Sequence, residues 1–211
     1  MAVSVAPSTT STGFYELVLS IKAHSPSPGL LMNNARKADP TDEYTQEIAA
    51  LTHQQKKDLT DHMEIARLEW EAGLYYDGDI GPYIPCRNIQ NAILESAAKF
   101  KLKKTLRTGL QVEAMDGNNR LPLLYDGPRD DFQEMWEAGL YFKQSLKQGQ
   151  SRVMRTRPCF KEWELPDFLL RVDAQECSRK KLEPVLTRIH RVGALGDFRP
   201  EFGRFDMEIE G

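Results

Sequence analysis

Arg179–Ile209 reads RKKLEPVLTRIHRVGALGDFRPEFGRFDMEI. Leu182, Val185, Leu186, Ile189 and Val192 recur at helical spacing, so Arg179–Val192 is predicted as an amphipathic helix. Gly193–Gly203 carries three glycines and a proline and reads as a loop. From Arg204 to Ile209, Phe205, Met207 and Ile209 alternate with polar residues, which predicts a terminal strand. The chain therefore closes on helix, glycine-bearing loop and strand.

The same reading extends upstream. Phe14–Ile21 (FYELVLSI) is rich in β-formers and predicts a core strand. Arg87–Phe100 is the clearest helix, with Ile89, Ile93, Ala97 and Phe100 in one stripe and Pro85 ahead of its start. Leu106–Ala114 predicts a strand. Arg152–Phe160 and Trp163–Val172 read as a hairpin of two longer strands, whose buried part is LPDFLLRV. Stripped of insertions, the order is β-α-β-β-α-β, an α+β fold of the ferredoxin-like kind. On this reading residues 1–13 form a flexible arm, and 14–211 form one domain with insertions at about 23–85 and 115–150.

The insertions carry smaller elements. SPSPG (25–29) opens a polar stretch that cannot continue regular structure. Asp42–Leu51 suits a short helix, and Thr60-Asp61 suit an N-cap for the next one, which Gly73 stops. Leu74–Pro85 predicts a hairpin turning at Asp77-Gly78-Asp79. Leu121–Tyr125 reads as a short strand, and Asp130–Tyr141 as a short helix or surface lobe. WEAGLY occurs twice, at 70–75 and 136–141, with unrelated flanks. Two equivalent helix ends, with Gly as the stop and Trp and Tyr as packing anchors, account for it better than paired self-association surfaces.

Composition bounds function. The chain has 211 residues, 40% hydrophobic and 28% charged, as a globular protein has. At that length it can bury roughly 70% of its unfolded surface without a disulfide or metal staple. Its net charge of −3 excludes a strongly basic DNA packager. No apolar run approaches the ~20 residues of a membrane span. Residues 1–98 carry −6 and residues 99–211 carry +3, so base is concentrated in the second half. Cys86, Cys159 and Cys177 are odd in number and widely spaced, as free thiols in a reducing cytoplasm are. MAVSVAPSTTSTG lacks the basic and apolar regions of a signal peptide.

Catalytic signatures are few. GxSxG, HExxH, Walker A and GxGxxG motifs are all missing. The four histidines are scattered without metal-ligand spacing, so no metal and no cofactor is expected. His24 follows the first strand but shows no orienting partner in the sequence. Asp39 and Asp42 fit turn and cap chemistry better than catalysis. No catalytic residue is assigned and the chain is not expected to be an enzyme; a nuclease with His24 or an insertion aspartate such as Asp39 as base stands as the third alternative.

Basic residues carry more signal. Lys101, Lys103, Lys104 and Arg107 follow the first helix, where dipole capping explains part of the run. Arg152, Arg155 and Arg157 lie on a strand that ends at Phe160, and Arg199 and Arg204 lie in and just after the glycine loop. Cations for phosphates beside rings for unpaired bases are what a single-stranded nucleic acid requires. On the plait these residues are expected to converge on one sheet face and its rim.

Ile84–Ile93 (IPCRNIQNAI) resembles the segment that enters the first helix of the RAMP superfamily, the RNA-binding subunits of CRISPR complexes. Gly193–Phe205 resembles the glycine-rich loop and following strand of that superfamily. Cys86 and Asn91 stand where the superfamily commonly has Gly. The whole chain also resembles uncharacterised proteins of tailed phages and prophages, through LLMNNARKADP, LLYDGPR and RVMRTRP. The resemblance implies a modified ferredoxin-like plait and binding of single-stranded DNA or RNA. Gly193, Gly196 and Gly203 would let backbone amides approach phosphates. It further implies side-by-side homo-oligomers in the bacterial host's cytoplasm. The alternative is a protein–protein device, either a virion component or a mimic of a CRISPR subunit that engages a host or phage complex.

Overall fold

The computed structural model describes residues 13–53 and 58–210. The arm expected over residues 1–13 lies outside them but for Gly13. The strands are β1 (Phe14–Ala23), β2 (Leu30–Leu31), β3 (Tyr76–Asp77), β4 (Gly81–Pro85), β5 (Leu110–Ala114), β6 (Arg120–Pro122), β7 (Tyr141–Gln148), β8 (Ser151–Phe160), β9 (Glu164–Asp173) and β10 (Phe205–Ile209). The helices are α1 (Glu43–Thr52), α2 (Leu59–Glu71), α3 (Cys86–Ala98), α4 (Lys103–Gly109), α5 (Phe132–Glu137), α6 (Arg179–Thr187) and α7 (Ile189–Val192). The fold is mixed α+β, and its strands pair antiparallel.

The central sheet has the order β10-β1-β9-β5. Alternation gives it one dry face. Leu17, Leu19 and Ile21 of β1 are buried with Phe168, Leu170 and Val172 of β9, Val112 of β5 and Phe205 of β10. Register stacks them in rows, since Leu170 stands opposite both Leu17 and Val112. α3, which lies between β1 and β5 in the chain, packs against β5, α6 and α7, and α6 packs against β10. The other face is polar. There Arg171 donates to Glu16 at 2.7 Å and to Glu113 at 3.2 Å.

The expected hairpin of 152–160 with 163–172 does not form. β9 is paired on both edges, by β1 and by β5, so neither edge is open to β8. β8 pairs instead with β7 and β2 in a separate three-stranded sheet, order β2-β8-β7. α2 holds that sheet in place. Its Glu69, 1% exposed, accepts from Arg155 Nη1 at 2.7 Å and from the Thr156 N–H at 2.9 Å.

Other differences are local. The stretch that opens at 25–29, expected to be polar, is not polar throughout, because Leu30, Leu31 and Met32 are buried. The N-cap of α2 is Asp58, whose carboxylate takes the Asp61 N–H while Asp61 takes that of Asp58. The helix expected over Arg179–Val192 divides at Arg188. Just before the break, the Thr187 hydroxyl donates to the Glu183 carbonyl at 3.0 Å, back-bonding of the kind that bends helices. Leu106–Gly109, expected in a strand, belongs to α4. The hairpin at Asp77–Asp79 and the short helices at 43–52 and 132–137 are present.

Both WEAGLY copies are helix ends. Ala72 and Ala138 are the C-caps of α2 and α5, with matching bonds to the preceding turns. The copies touch each other: the Trp70 and Trp136 rings meet edge-on at 5.6 Å, and Trp70 Nε1 donates to the Leu140 carbonyl at 2.8 Å. Trp70 is 0% exposed, so it is a core anchor.

Candidate nucleic-acid interface

The two segments quoted for the RAMP resemblance face each other across one cleft of about 990 Å³. One wall is the start of α3, carrying Arg87, Asn88, Asn91 and Glu95. These positions share a helix face by their spacing of three and four. The opposite wall is the Ala194–Asp197 stretch with Arg199, and Lys103 and Arg107 of α4 complete the rim.

Local chemistry explains how each wall is held. Pro85 is the N-cap of α3 and offers no side-chain cap, and the Cys86 N–H donates to the Asn119 carbonyl at 3.0 Å. The glycine loop is laced to the protein's own backbone. Asp197 N–H donates to Leu31 O, Leu195 N–H to Gly203 O and Gly203 N–H to Gly29 O, each at 2.8 Å. A Cβ at Gly196 would stand 2.0 Å from Leu31 O, and one at Gly203 would stand 1.8 Å from Leu195 O. Their φ values are +76° and +72°, which side chains disfavour. The close approach expected toward a phosphate is used here between protein segments. Gly193 differs, with φ −89°, and lies tight against Ile189 as the cap of α7.

The expected site residues divide into three groups. Lys103, Arg107 and Arg199 line the cleft. Arg199 is committed in part, because its Nη1 donates to Glu95 across the cleft at 2.9 Å. Both partners are over 40% exposed, so this pair adds little stability. Lys103 and Arg107 have no acidic partner among the described residues. Lys103 and Lys104 occupy the first turn of α4, where cations oppose the helix dipole. Capping therefore does not account for them.

Arg155, Arg157 and Arg204 are engaged within the protein. Arg155 binds Glu69. Arg157, 12% exposed, donates to Asp197 at 3.1 Å and so anchors the glycine loop. Arg204 Nε donates to the Pro200 carbonyl at 2.7 Å. Phe160 is 1% exposed and packs on Tyr125, so it has no free face for a base. Lys101, Lys104 and Arg152 are exposed but lie outside the cleft. The cations thus do not converge on a sheet face; the open face of the central sheet carries the Glu16–Arg171–Glu113 row instead.

Sequence reading missed Asn33, Tyr75, Arg87, Asn88, Asn91 and Asn119, all of which line the cleft. Arg87, Asn88 and Asn91 had a signal, since they stand inside the quoted helix-entry segment. Tyr75 had none, because it arrives from the end of α2 and is set by its hydroxyl donating to Asn33 O at 3.3 Å.

Outside the cleft, His24 has the partner its sequence context did not reveal. Its Nδ1 lies 2.7 Å from Asp206 Oδ2, and His190 Nδ1 lies 3.5 Å from the other oxygen of the same carboxylate. The two rings stack at 5.1 Å and 17°. Asp39 accepts from Thr41 N–H and Oγ1–H, which holds its carboxyl below the usual range, and Asp42 caps α1, as turn chemistry predicts. Burial pushes all three thiols up, Cys159 to about 11. Among the described residues no His, Cys, Asp or Glu cluster could hold a metal ion, and no helix is long and apolar enough to cross a membrane.

Neither a protein-family model nor a curated protein matches the chain. Among solved structures, it is similar to a chain in the cryo-EM structure of the type III-B Cmr-beta complex bound to cognate target RNA. The match has 14% identity and a TM-score of 0.47, over 95% of this chain and 61% of that one. The chain therefore spans less than two thirds of that neighbour's length. At that TM-score the likeness decides neither fold family nor function.

Proposed function

We propose that this chain is a RAMP-like, phage-encoded protein that binds single-stranded nucleic acid in the cleft between α3, α4 and the glycine loop. One observation carries the reading: Arg87, Lys103 and Arg107 stand in a single cleft with no acidic partner among the described residues. Unpaired cations in a groove are what a phosphodiester backbone neutralises, and an overall charge of −3 does not oppose a local groove. A modified ferredoxin-like plait is supported by the order β10-β1-β9-β5, with α3 between β1 and β5 and α6 between β9 and β10. On that mapping residues 24–85 and 115–163 are insertions between plait elements, the second running past the expected bound of about 150 to take in β7 and β8. The proposal places the protein in the bacterial cytoplasm, assembled side by side on its strand.

Fluorescence anisotropy with single-stranded DNA and RNA at two salt concentrations tests this. Binding is expected to weaken steeply with salt. Replacing Lys103 and Arg107 together by Ala is expected to reduce the salt slope by about two, one for each phosphate that is no longer neutralised. Absence of binding at low salt, or a slope unmoved by the double variant, refutes the reading. Size-exclusion chromatography of the same protein, with and without nuclease, tests assembly on the strand.

One observation favours a second reading, a nuclease. Asp206 hydrogen-bonds Nδ1 of His24 at 2.7 Å and lies 3.5 Å from Nδ1 of His190, so its carboxylate contacts Nδ1 in both rings and leaves Nε2 for a ligand. One Nε2 would accept the proton of the attacking oxygen, and the other would supply one to the leaving oxygen. Cleavage of a labelled RNA in EDTA is then expected to fall at least about 100-fold in His24→Ala and in His190→Ala. An inactive wild type removes this reading.

A further inference from the structure

We infer that the cleft seats an unpaired adenine and reads its edge with the carboxamides of Asn88, Asn91 and Asn119; the inference rests on the single-strand reading above. A groove that served charge alone would need only its cations. This one also presents three carboxamides that make no side-chain hydrogen bond among the described residues. Its other two amides are already committed: Gln90 Nε2 donates to Leu110 O at 2.9 Å, and Asn33 Nδ2 to Asp197 at 3.3 Å. The uncommitted amides are therefore those with hydrogen bonds left to offer a ligand.

A carboxamide sets a donor beside an acceptor. An amino group beside a ring nitrogen is the complement; cytosine presents it on one edge (N4 with N3) and adenine on two (N6 with N1 or N7), and Asn or Gln bidentate to adenine is the pairing this geometry favours. Guanine's Watson–Crick edge is rich in donors and calls for a free carboxylate. Both carboxylates in the cleft are taken, Glu95 by Arg199 and Asp197 by Arg157 and Asn33. An aromatic side chain also borders the cleft. Tyr75 lines the same cleft, and its ring is oriented by the hydroxyl bond to Asn33 and by packing on Tyr83 at 5.9 Å. Asn88 and Asn91 lie one helical turn apart on the face that also carries Arg87, so a phosphate at Arg87 and a base at the amides are compatible with one strand.

The test uses the full chain and short strands of about twelve nucleotides, within the range one single-strand site covers. Oligo-A, oligo-C and oligo-T or oligo-U are compared by anisotropy, along with an oligo-T carrying interspersed guanines. Adenine strands are expected to bind about tenfold tighter than the others. Asn88→Ala with Asn91→Ala is expected to erase that preference and leave the salt slope unchanged. Lys103→Ala with Arg107→Ala is expected to lower the slope and leave the preference intact. Equal binding of all strands, a preference for guanine, or a preference that survives the double Asn variant overturns the adenine seat while leaving the single-strand reading standing. Failure of every strand to bind overturns both.

Discussion

Gly203→Ala is expected to destabilise the protein by about 3 kcal/mol and to lower its melting temperature by about 6–12 °C. Two costs combine. The residue sits at φ +72°, where a side chain is strained by about 1 kcal/mol or more. The added Cβ would also stand 1.8 Å from Leu195 O, a backbone atom that cannot rotate away. Relief requires moving the strap that joins Leu195, Gly203 and Gly29, which supports one wall of the cleft. Gly139→Ala separates the two costs. Its φ is +74° but nothing lies within 4 Å of the new atom, so about 1 kcal/mol is expected. Thermal melts of the two variants check the difference. Equal losses would show that strain alone governs both sites.

Removing Glu69 is expected to cost about 3 kcal/mol. Glu69→Ala leaves the Thr156 N–H buried without this acceptor and strips Arg155 of a carboxylate at 2.7 Å. Breaking a buried pair typically costs about 3–5 kcal/mol, but Arg155 is about one-third exposed and recovers part of that through water. Glu69→Gln keeps an oxygen for Thr156 and is expected to lose roughly 1 kcal/mol less. Urea denaturation of both variants reads this directly. The same geometry changes how charge reversal on β8 is interpreted. Arg155→Glu would set a carboxylate against Glu69, and Arg157→Glu would set one against Asp197. Weaker nucleic-acid binding by that pair would report a disturbed sheet, whereas Lys103 and Arg107 are exempt from this objection.

Local pattern carried much of the fold. β1, α3, the 77–79 hairpin, the glycine loop and β10 were all legible, because each depends on periodicity, turn residues or caps within about a dozen residues. The helix-entry segment and the glycine loop were legible too, and residues of both line the cleft. Their facing each other across a cleft was not visible, since 100 residues separate Ile93 from Gly193 in the chain.

Strand pairing marks the boundary. Nothing in Arg152–Phe160 says whether its partner is β9 or β7, because each is adjacent in sequence and close enough to form a hairpin with it. The choice follows from a fact about other strands: β1 and β5 occupy both edges of β9, and a backbone group engaged once has no second bond to give. Side-chain roles divide in the same way. Local pattern suffices to place Arg155, Arg157 and Phe160 on a basic, aromatic strand with period-two faces. Long-range packing is what hands the first to a buried carboxylate from α2, the second to the glycine loop and the third to the core. Charge and ring type are properties of a residue, but their availability to a ligand depends on what long-range packing sets beside them.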